Sequence, residues 1–533
     1  MTSAPIAADT SHVPSPSWLV RAVGFFSGPV GFGIKIALLA LLNALVLWAV
    51  GVLVADGKWL AALIAVASTA LIDFVYLYPS RRLVPLKYLV PGVVFLVAFV
   101  LVPIVSNANI AFTNWSTGHN LTKDEAIVAI QEVSLVAPAD GKTYTATPAT
   151  EDGELVLLLV DEVSGDLYVG TEDGLEPLPT DSATVEIGTI TSAEGYEVLQ
   201  GNQLAGIDTE LAALVVPAAE DRFIRAEGLS LAVELQPTLE YDSQSDTFTN
   251  IETGTVYSDN DEGSYVSPAG EALEPGWRTH VGFQNFSTVL TNPLYRDPFV
   301  RVFVWTVAYA AISVFLMFAL GLFLAIVLNK PTLKLRRIQR ALLVLPFAIP
   351  AFLCVLVWRG LLNDEFGAIN QTLGLDIPWL FDPQWARVSC ILVNVWLGFP
   401  YFFLVNTAAL QAIPAELQEA ARVDGASSLQ VFRRVTLPLL LVVTAPLLIA
   451  SFAFNFNAFN NIFFLTEGGP YGVEQSIAGS TDILISYTYK LAFSAGQGAQ
   501  YGLAAAVSIF IFFIVAGISA VSFWRTKSLE TVR

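Results

Sequence analysis

Ile413-Pro-Ala-Glu-Leu-Gln-Glu-Ala-Ala-Arg-Val-Asp-Gly425 runs directly into Ala426-Ser-Ser-Leu-Gln-Val-Phe-Arg-Arg-Val-Thr-Leu-Pro438. The stretch reads as two short helices joined by a turn. Pro414 suits the first turn of a helix. Gly425 can close that helix as the residue just past its C-cap, in the left-handed conformation. Ser427 and Gln430 have the spacing of a capping box and start the second helix. Pro438 marks the return into an apolar run. Ala420 and Ala421 are small enough for another protein surface to approach closely, and Glu419 and Asp424 offer it charge. The segment is flanked by 388–411 and 437–465, two runs with almost no charge, so the elbow stands between two candidate membrane spans.

Working outward, the whole chain shares that apolar character. Only 14% of its residues are charged and its mean hydropathy is +0.60, whereas ordinary soluble domains carry about 25% charged residues. A spanning helix needs about 20 mostly apolar residues. Eight windows meet that requirement: 34–54, 59–78, 87–105, 299–328, 341–361, 388–411, 437–465 and 502–524. The fourth and seventh are long enough to contain interfacial or broken portions. Basic residues fall in every second connection: Arg21 and Lys35 by the first span; Arg81, Arg82 and Lys87; Lys330, Lys334, Arg336, Arg337 and Arg340; Arg422, Arg433 and Arg434; and Arg525, Lys527 and Arg533. By the positive-inside rule both termini are expected in the cytoplasm. The first 30 residues lack the order of a signal peptide, because the long apolar run starts after them and no small-residue cleavage site follows.

The net charge of −20 is unevenly spread. Residues 106–298 hold 33 acidic and 6 basic residues, a net of −27; the remainder holds 14 and 21, a net of +7. An acidic, hydrophilic block is set inside a basic, apolar chain. The expected organisation is 1–105 with the first three spans, 106–298 as an extracytoplasmic domain, and 299–533 with the last five. Glu154-Leu-Val-Leu-Leu-Leu-Val160 and Leu167-Tyr-Val-Gly170 read as short strands between turn residues, so the outer block is expected to be mainly β. Residues 241–275 read as polar loop. The fold class is therefore an all-α polytopic membrane protein of eight spans with a β domain inserted between the third and fourth. Cys354 and Cys390 both lie in apolar segments and support no disulfide framework.

Charges inside the spans are few. Asp73, near the cytoplasmic end of span two, is placed to pair with Arg81 or Arg82, and Arg359 lies near the outer end of span five. Both read as interfacial, snorkelling residues. An ion-driven carrier needs ionisable groups near mid-membrane, and the chain offers almost none. Span seven carries instead Ser451-Phe-Ala-Phe-Asn-Phe-Asn-Ala-Phe-Asn-Asn461, and span six Trp396-Leu-Gly-Phe-Pro-Tyr401. Buried amides need partners. Sugars supply them, with hydroxyls for amides and apolar ring faces for aromatics; so do neighbouring helices. The residues alone leave both readings open. Ser451, Phe454, Asn455 and Ala458 have the spacing of one helical face.

Glu419-Ala420-Ala421, Gly425 six residues after Glu419, and Leu437-Pro438 beyond it match the EAA motif of ABC importer permeases. From 281 onward the chain resembles the permeases of maltose/maltodextrin ABC importers. The matching pieces are Trp305-Thr306, Trp396 to Tyr401, Ser451 to Asn457, Leu465-Thr466-Glu467-Gly-Gly-Pro470, Thr481 to Tyr489 and Tyr501 to Ala506, with Phe112-Thr-Asn-Trp115 as an echo after span three. The large outer insertion is also characteristic of that family.

The resemblance implies a sugar site at Asn394, Leu397, Gly398, Tyr401, Ser451, Phe454 and Asn455. It implies ATPase coupling through Glu419, Ala420, Ala421, Asp424 and Gly425. The expected partners are a homologous second permease, a dimeric cytoplasmic ABC ATPase, an extracytoplasmic sugar-binding protein, the bilayer of the bacterial cytoplasmic membrane and an oligosaccharide, with no nucleic acid among them. The acidic insertion would meet the binding protein; its charge serves either steering or plain solubility. No cofactor is expected in this chain, and ATP and Mg would belong to the ATPase. Gly141-Lys142-Thr143 echoes the end of a phosphate-binding loop, but the first glycine such a loop requires falls on Val136. One position departs from the family: Ala458 stands where maltose permeases usually place another Asn. Two other classes fit less well. A secondary carrier calls for mid-membrane acids or internal repeats, and a membrane-anchored outer enzyme would have to work with only His119 and His280 in the 106–298 block and no nucleophile motif.

Overall fold

The structure is a computed structural model, and it describes residues 28–55, 57–78, 80–219, 222–329, 335–472, 477–493 and 498–530. Arg21, Lys330, Lys334 and Arg533, and the side chains of Arg336, Arg525 and Lys527, lie outside the described residues. Among those described, seven helices are long and apolar enough to cross a membrane, and a bent pair makes an eighth. They are α1 (Pro29–Ala55), α2 (Trp59–Leu77), α3 (Arg81–Ile110), α5 (Pro293–Leu328), α8 (Pro383–Ala412), α10 (Ser428–Phe456) and α13 (Tyr501–Glu530), plus the pair α6 (Arg336–Ala348) and α7 (Ala351–Leu361). Among the shorter helices are α4 (Lys123–Val133), α9 (Ala415–Val423), α11 (Phe459–Thr466) and α12 (Leu484–Phe493).

Prolines set the irregularities of these spans. α6 and α7 meet at 94°. Ile349, before Pro350, is extended with φ −91° and ψ 139°, because a proline ring excludes the preceding residue from helical geometry. The expected fifth span is therefore an elbow. α3 contains a π-helical turn at Val97–Leu101 and α10 another at Phe432–Thr436. Each ends two residues before a proline, Pro103 and Pro438. A proline removes an N–H and crowds the carbonyl four residues back, and here that carbonyl lies in the widened turn. Span seven is broken as its length suggested: α10 stops at Phe456 and α11 starts at Phe459.

Residues up to Ser106 form one compact unit and those from Asn107 another. In the first, α1 packs on α2, and Asp73 accepts hydrogen bonds from Asn43 Nδ2 at 3.0 and 3.2 Å. The expected pairing with Arg81 or Arg82 is not made; a span-one amide within reach satisfies the carboxylate first. In the second unit α5 and α8 pack backbone to backbone. The position of a Cβ on Gly321 lies 2.7 Å from the Phe402 carbonyl carbon and the Phe403 nitrogen, the close approach small residues permit between membrane helices.

The acidic block is mainly β. Its largest sheet runs, edge to edge, Gly174–Pro177, Leu167–Thr171, Glu154–Asp161, Thr143–Glu151, Leu231–Pro237, Arg222–Glu227 and Val215–Ala219, all antiparallel. Within the strand Glu154–Asp161 the run 155–160 is apolar throughout because both its faces are covered. Leu157 and Leu159 enter one core, and Val156, Leu158 and Val160 the other. The region 241–275, expected as loop, contains a four-stranded sheet of Leu239–Asp242, Thr247–Asn250, Val256–Asp259 and Tyr265–Val266. Its core is aromatic. Phe248 and Tyr265 are fully buried beside Tyr257 and Trp277, and their spacing is hidden in sequence by the Asp, Asn and Gly turns between them.

Candidate functional site

Two constructions stand out, the surface elbow at 413–438 and a buried amide cluster where α8, α10 and α11 meet. In the elbow, Pro414 is the N-cap of α9, one position earlier than the first-turn place expected for it. Gly425 has φ +86°. Its N–H donates to the Arg422 carbonyl at 3.0 Å, and that of Ala426 donates to Ala421 at 3.0 Å, the paired bonds of a Schellman cap. The Ser427 N–H then donates to Gln430 Oε1 at 2.7 Å, and Ser427 Oγ accepts from the Gln430 N–H. The turn between the two helices is thus closed by local hydrogen bonds, while Ile413, Phe432 and Leu437 at its ends pack into the core between spans. No residue of α9 is buried. Glu419, Ala420, Asp424 and Gly425 are exposed, and Ala421 is half-buried. Val423 is 87% exposed, with Leu417 and Leu429 also exposed. A capped helix that holds apolar and acidic side chains outward is shaped for a partner surface.

In the buried cluster Asn394 of α8 donates from Nδ2 to Asn455 Oδ1 of α10 at 2.7 Å. Asn455 Nδ2 donates to the Ser451 carbonyl at 2.8 Å. Asn461 of α11 donates from Nδ2 to Asn394 Oδ1 at 2.8 Å. Asn394 and Asn455 are 2% and 4% exposed. The amides are therefore interhelical partners of one another in this conformation. The structure brings Asn394, Ser451 and Asn455 together. It keeps Phe454 apart, 76% exposed although it precedes a buried Asn455. The face expected to join Ser451, Phe454, Asn455 and Ala458 is interrupted, because the helix ends at Phe456 and Ala458 lies in the break. Leu397 is half-buried against the cluster that includes Tyr309, Trp379 and Ile462. A Cβ on Gly398 would lie 2.3 Å from Met317 Sδ, so that residue serves helix packing with α5. Tyr401 is half-buried, its ring 5.2 Å from that of Phe402 and edge-on to it.

Three functional candidates escaped the sequence reading. Asn461 sat inside the quoted Phe/Asn run, where nothing in the sequence singled it out from Asn457 and Asn460. Tyr309, on α5, is fully buried and its hydroxyl has no hydrogen-bond partner. Asp482, wholly buried, pairs with Lys490 and also accepts from the Gly479 N–H and Ser486 Oγ at 2.7 Å each. Because it is fully partnered, this pair fixes the loop between α11 and α12; its spacing of eight residues gave no pattern to find. Arg359, read as a snorkelling residue, forms an exposed ion pair with Glu467 at 2.8 Å.

A surface-exposed capped elbow between spans and an inserted β domain are the parts of a binding-protein-dependent importer permease, and family models agree. Residues 317–525 match the binding-protein-dependent transport system inner membrane component, and 94–173 match the N-terminal part of the membrane subunit in such ABC transporters. The chain is 34% identical to the maltose/maltodextrin transport system permease protein MalF of Vibrio cholerae, over 85% of this chain and 87% of that one. It is 35% identical to the MalF of Escherichia coli K12, over 93% and 96%. The chain belongs to the MalF family of permeases. A crystal structure of a bacterial ABC transporter involved in import of the acidic polysaccharide alginate aligns with 47% of this chain and 85% of its own, at 24% identity and a TM-score of 0.41.

Proposed function

We propose that this chain is the larger permease subunit of an importer that moves a maltose-type oligosaccharide or related α-glucoside across the bacterial cytoplasmic membrane. A separate ABC ATPase drives it, and an extracytoplasmic sugar-binding protein feeds it. A homologous permease completes the path, and ATP with its Mg is held by the ATPase. The observation that carries this reading is the elbow: a self-capped surface helix with exposed Glu419, Asp424 and Val423, set between two spans. A rigid elbow transmits a push from the cytoplasmic ATPase to α8 and α10.

In this reading both termini and the elbow face the cytoplasm, residues 106–298 face outward, and 1–105 and 299–533 carry the spans. The sugar site is formed by Asn394, Leu397, Gly398, Tyr401, Ser451, Phe454 and Asn455 once α8 and α10 part enough to free the amides. Exposed Phe454 offers a ring face, and the freed amides offer hydrogen bonds. Ala458 in place of an amide keeps other disaccharides, trehalose among them, within the expected range.

The test is reconstitution of the complete complex in liposomes. A binding protein loaded with an α-glucoside should stimulate ATP hydrolysis and sugar uptake, and Glu419→Lys should abolish both while the complex still inserts. Undiminished coupling in that variant removes the elbow from its role. Asn455→Ala should lower uptake; unchanged uptake removes the amide cluster from the sugar site.

A further inference from the structure

The three amides form a chain with one direction. Asn461 donates to Asn394, Asn394 donates to Asn455, and Asn455 donates to the Ser451 carbonyl. Asn394 and Asn455 are each both donor and acceptor, so the bonds polarise one another. An asparagine side chain can be reversed end for end with little change of shape. What prevents this at Asn394 is Asn461: its N–H requires the Asn394 oxygen on the α11 side and sends the Asn394 NH2 toward α10. One of the two N–H groups on that NH2 is then used by Asn455 and the second is left over. Asn455 likewise spends one N–H on Ser451 and keeps one.

Asn461 is positioned for this by the break in span seven. α11 starts afresh at Phe459 after Ala458, with backbone φ −76° and ψ 58° at that alanine. The new axis brings Asn461, half-buried, to Asn394 on the neighbouring span. The polar chain thus links three helices, α8, α10 and α11. Ala458 itself has no side-chain amide and packs against the apolar cluster that includes Tyr309, Val393 and Ile462.

We propose that Asn461 sets the specificity of the sugar site from α11: it fixes Asn394, and through it Asn455, so that they present N–H donors to the sugar. This rests on the assignment of Asn394 and Asn455 to that site. A site that presents fixed donors selects glucosides with acceptor oxygens at matching places, because a mismatched sugar leaves buried polar groups unpaired. Asn461 acts through Asn394 and is a positioning residue.

The experiment measures uptake of maltose, maltotriose and trehalose by the reconstituted full complex. Asn461→Leu keeps the size and removes the donor; the ratio of maltose to trehalose uptake should move about five-fold or more, the worth of one hydrogen bond. Asn461→Gln keeps the donor and should restore the parent ratio to within about two-fold. Asn460→Leu, at an exposed neighbour, should leave the ratio unchanged. If Asn461→Leu does not assemble, Asn461→Ala is read in its place. A lowered uptake with the ratio unchanged in Asn461→Leu shows only helix packing and overturns the proposal. Uptake and ratio both unchanged, while Asn455→Ala loses uptake, overturn it without touching the site assignment. Indifference of both Asn455→Ala and Asn461→Leu sinks the assignment itself.

Discussion

A single residue in the inserted β domain shows how burial and partners compete. Asp161 is 2% exposed at the end of the strand Glu154–Asp161. Burial pushes its carboxyl up, but the Lys142 ammonium at 2.9 Å and the N–H groups of Ser164 and Val163 pull harder, and it is held down to about 2. A carboxyl with a depressed folded value contributes stability above its ordinary value near 4, and loses it as pH falls through the folded one. The inserted β domain of the intact protein should therefore lose resistance to proteolysis between about pH 4 and 2. Lys142→Met leaves the carboxylate with backbone donors but without its half-exposed cation and should destabilise the domain at pH 7 by about 1 kcal/mol, read as a lower proteolysis midpoint in denaturant. Resistance equal to the parent's would show that the backbone donors suffice.

At the scale of an element the elbow was legible almost residue for residue. Gly425, Ser427 and Gln430 do what their spacing implies, because caps are local: donor and acceptor lie within six residues and no distant contact can move them. Only Pro414 differs, by one position. At Gly425 a Cβ meets nothing within 4 Å, so the cost of Gly425→Ala is the positive φ alone, about 1 kcal/mol. That variant should insert normally and keep uptake while lowering sugar moved per ATP hydrolysed; an unaltered ratio would show that the elbow tolerates a loosened cap. The sheet within 241–275 illustrates the reverse. Its strands are two to four residues long and closed by Tyr241, Phe248, Tyr257 and Tyr265 from separate strands, and alternation over so short a run does not rise above turn composition.

Across the whole molecule, packing between spans depends on residues that carry no pattern. Gly321 and Gly398 both sit where α5 meets α8, but their surroundings differ. At Gly321 a methyl would strike backbone at 2.7 Å; at Gly398 it would strike the end of a flexible methionine. Gly321→Ala should therefore lower the thermal midpoint of the detergent-solubilised protein by several degrees, equivalent to about 2 kcal/mol of overpacking. Gly398→Ala should cost less than half of that, since Met317 can turn away. Equal midpoints for the two variants would mean that α5 and α8 separate more easily than the backbone approach implies.

The sequence by itself determined which stretches are apolar enough to span, the side on which bases accumulate, the caps of the elbow and the acidic inserted domain, because each depends on composition or on groups a few residues apart. Only the tertiary structure decided that span five folds into an elbow, that Asp73 meets Asn43, and that Asn461 reaches Asn394 across 67 residues of chain. Those outcomes depend on how separate helices pack. A buried amide or carboxylate bonds to the nearest partner that packing offers, and nearness in space is not recorded in the order of the chain.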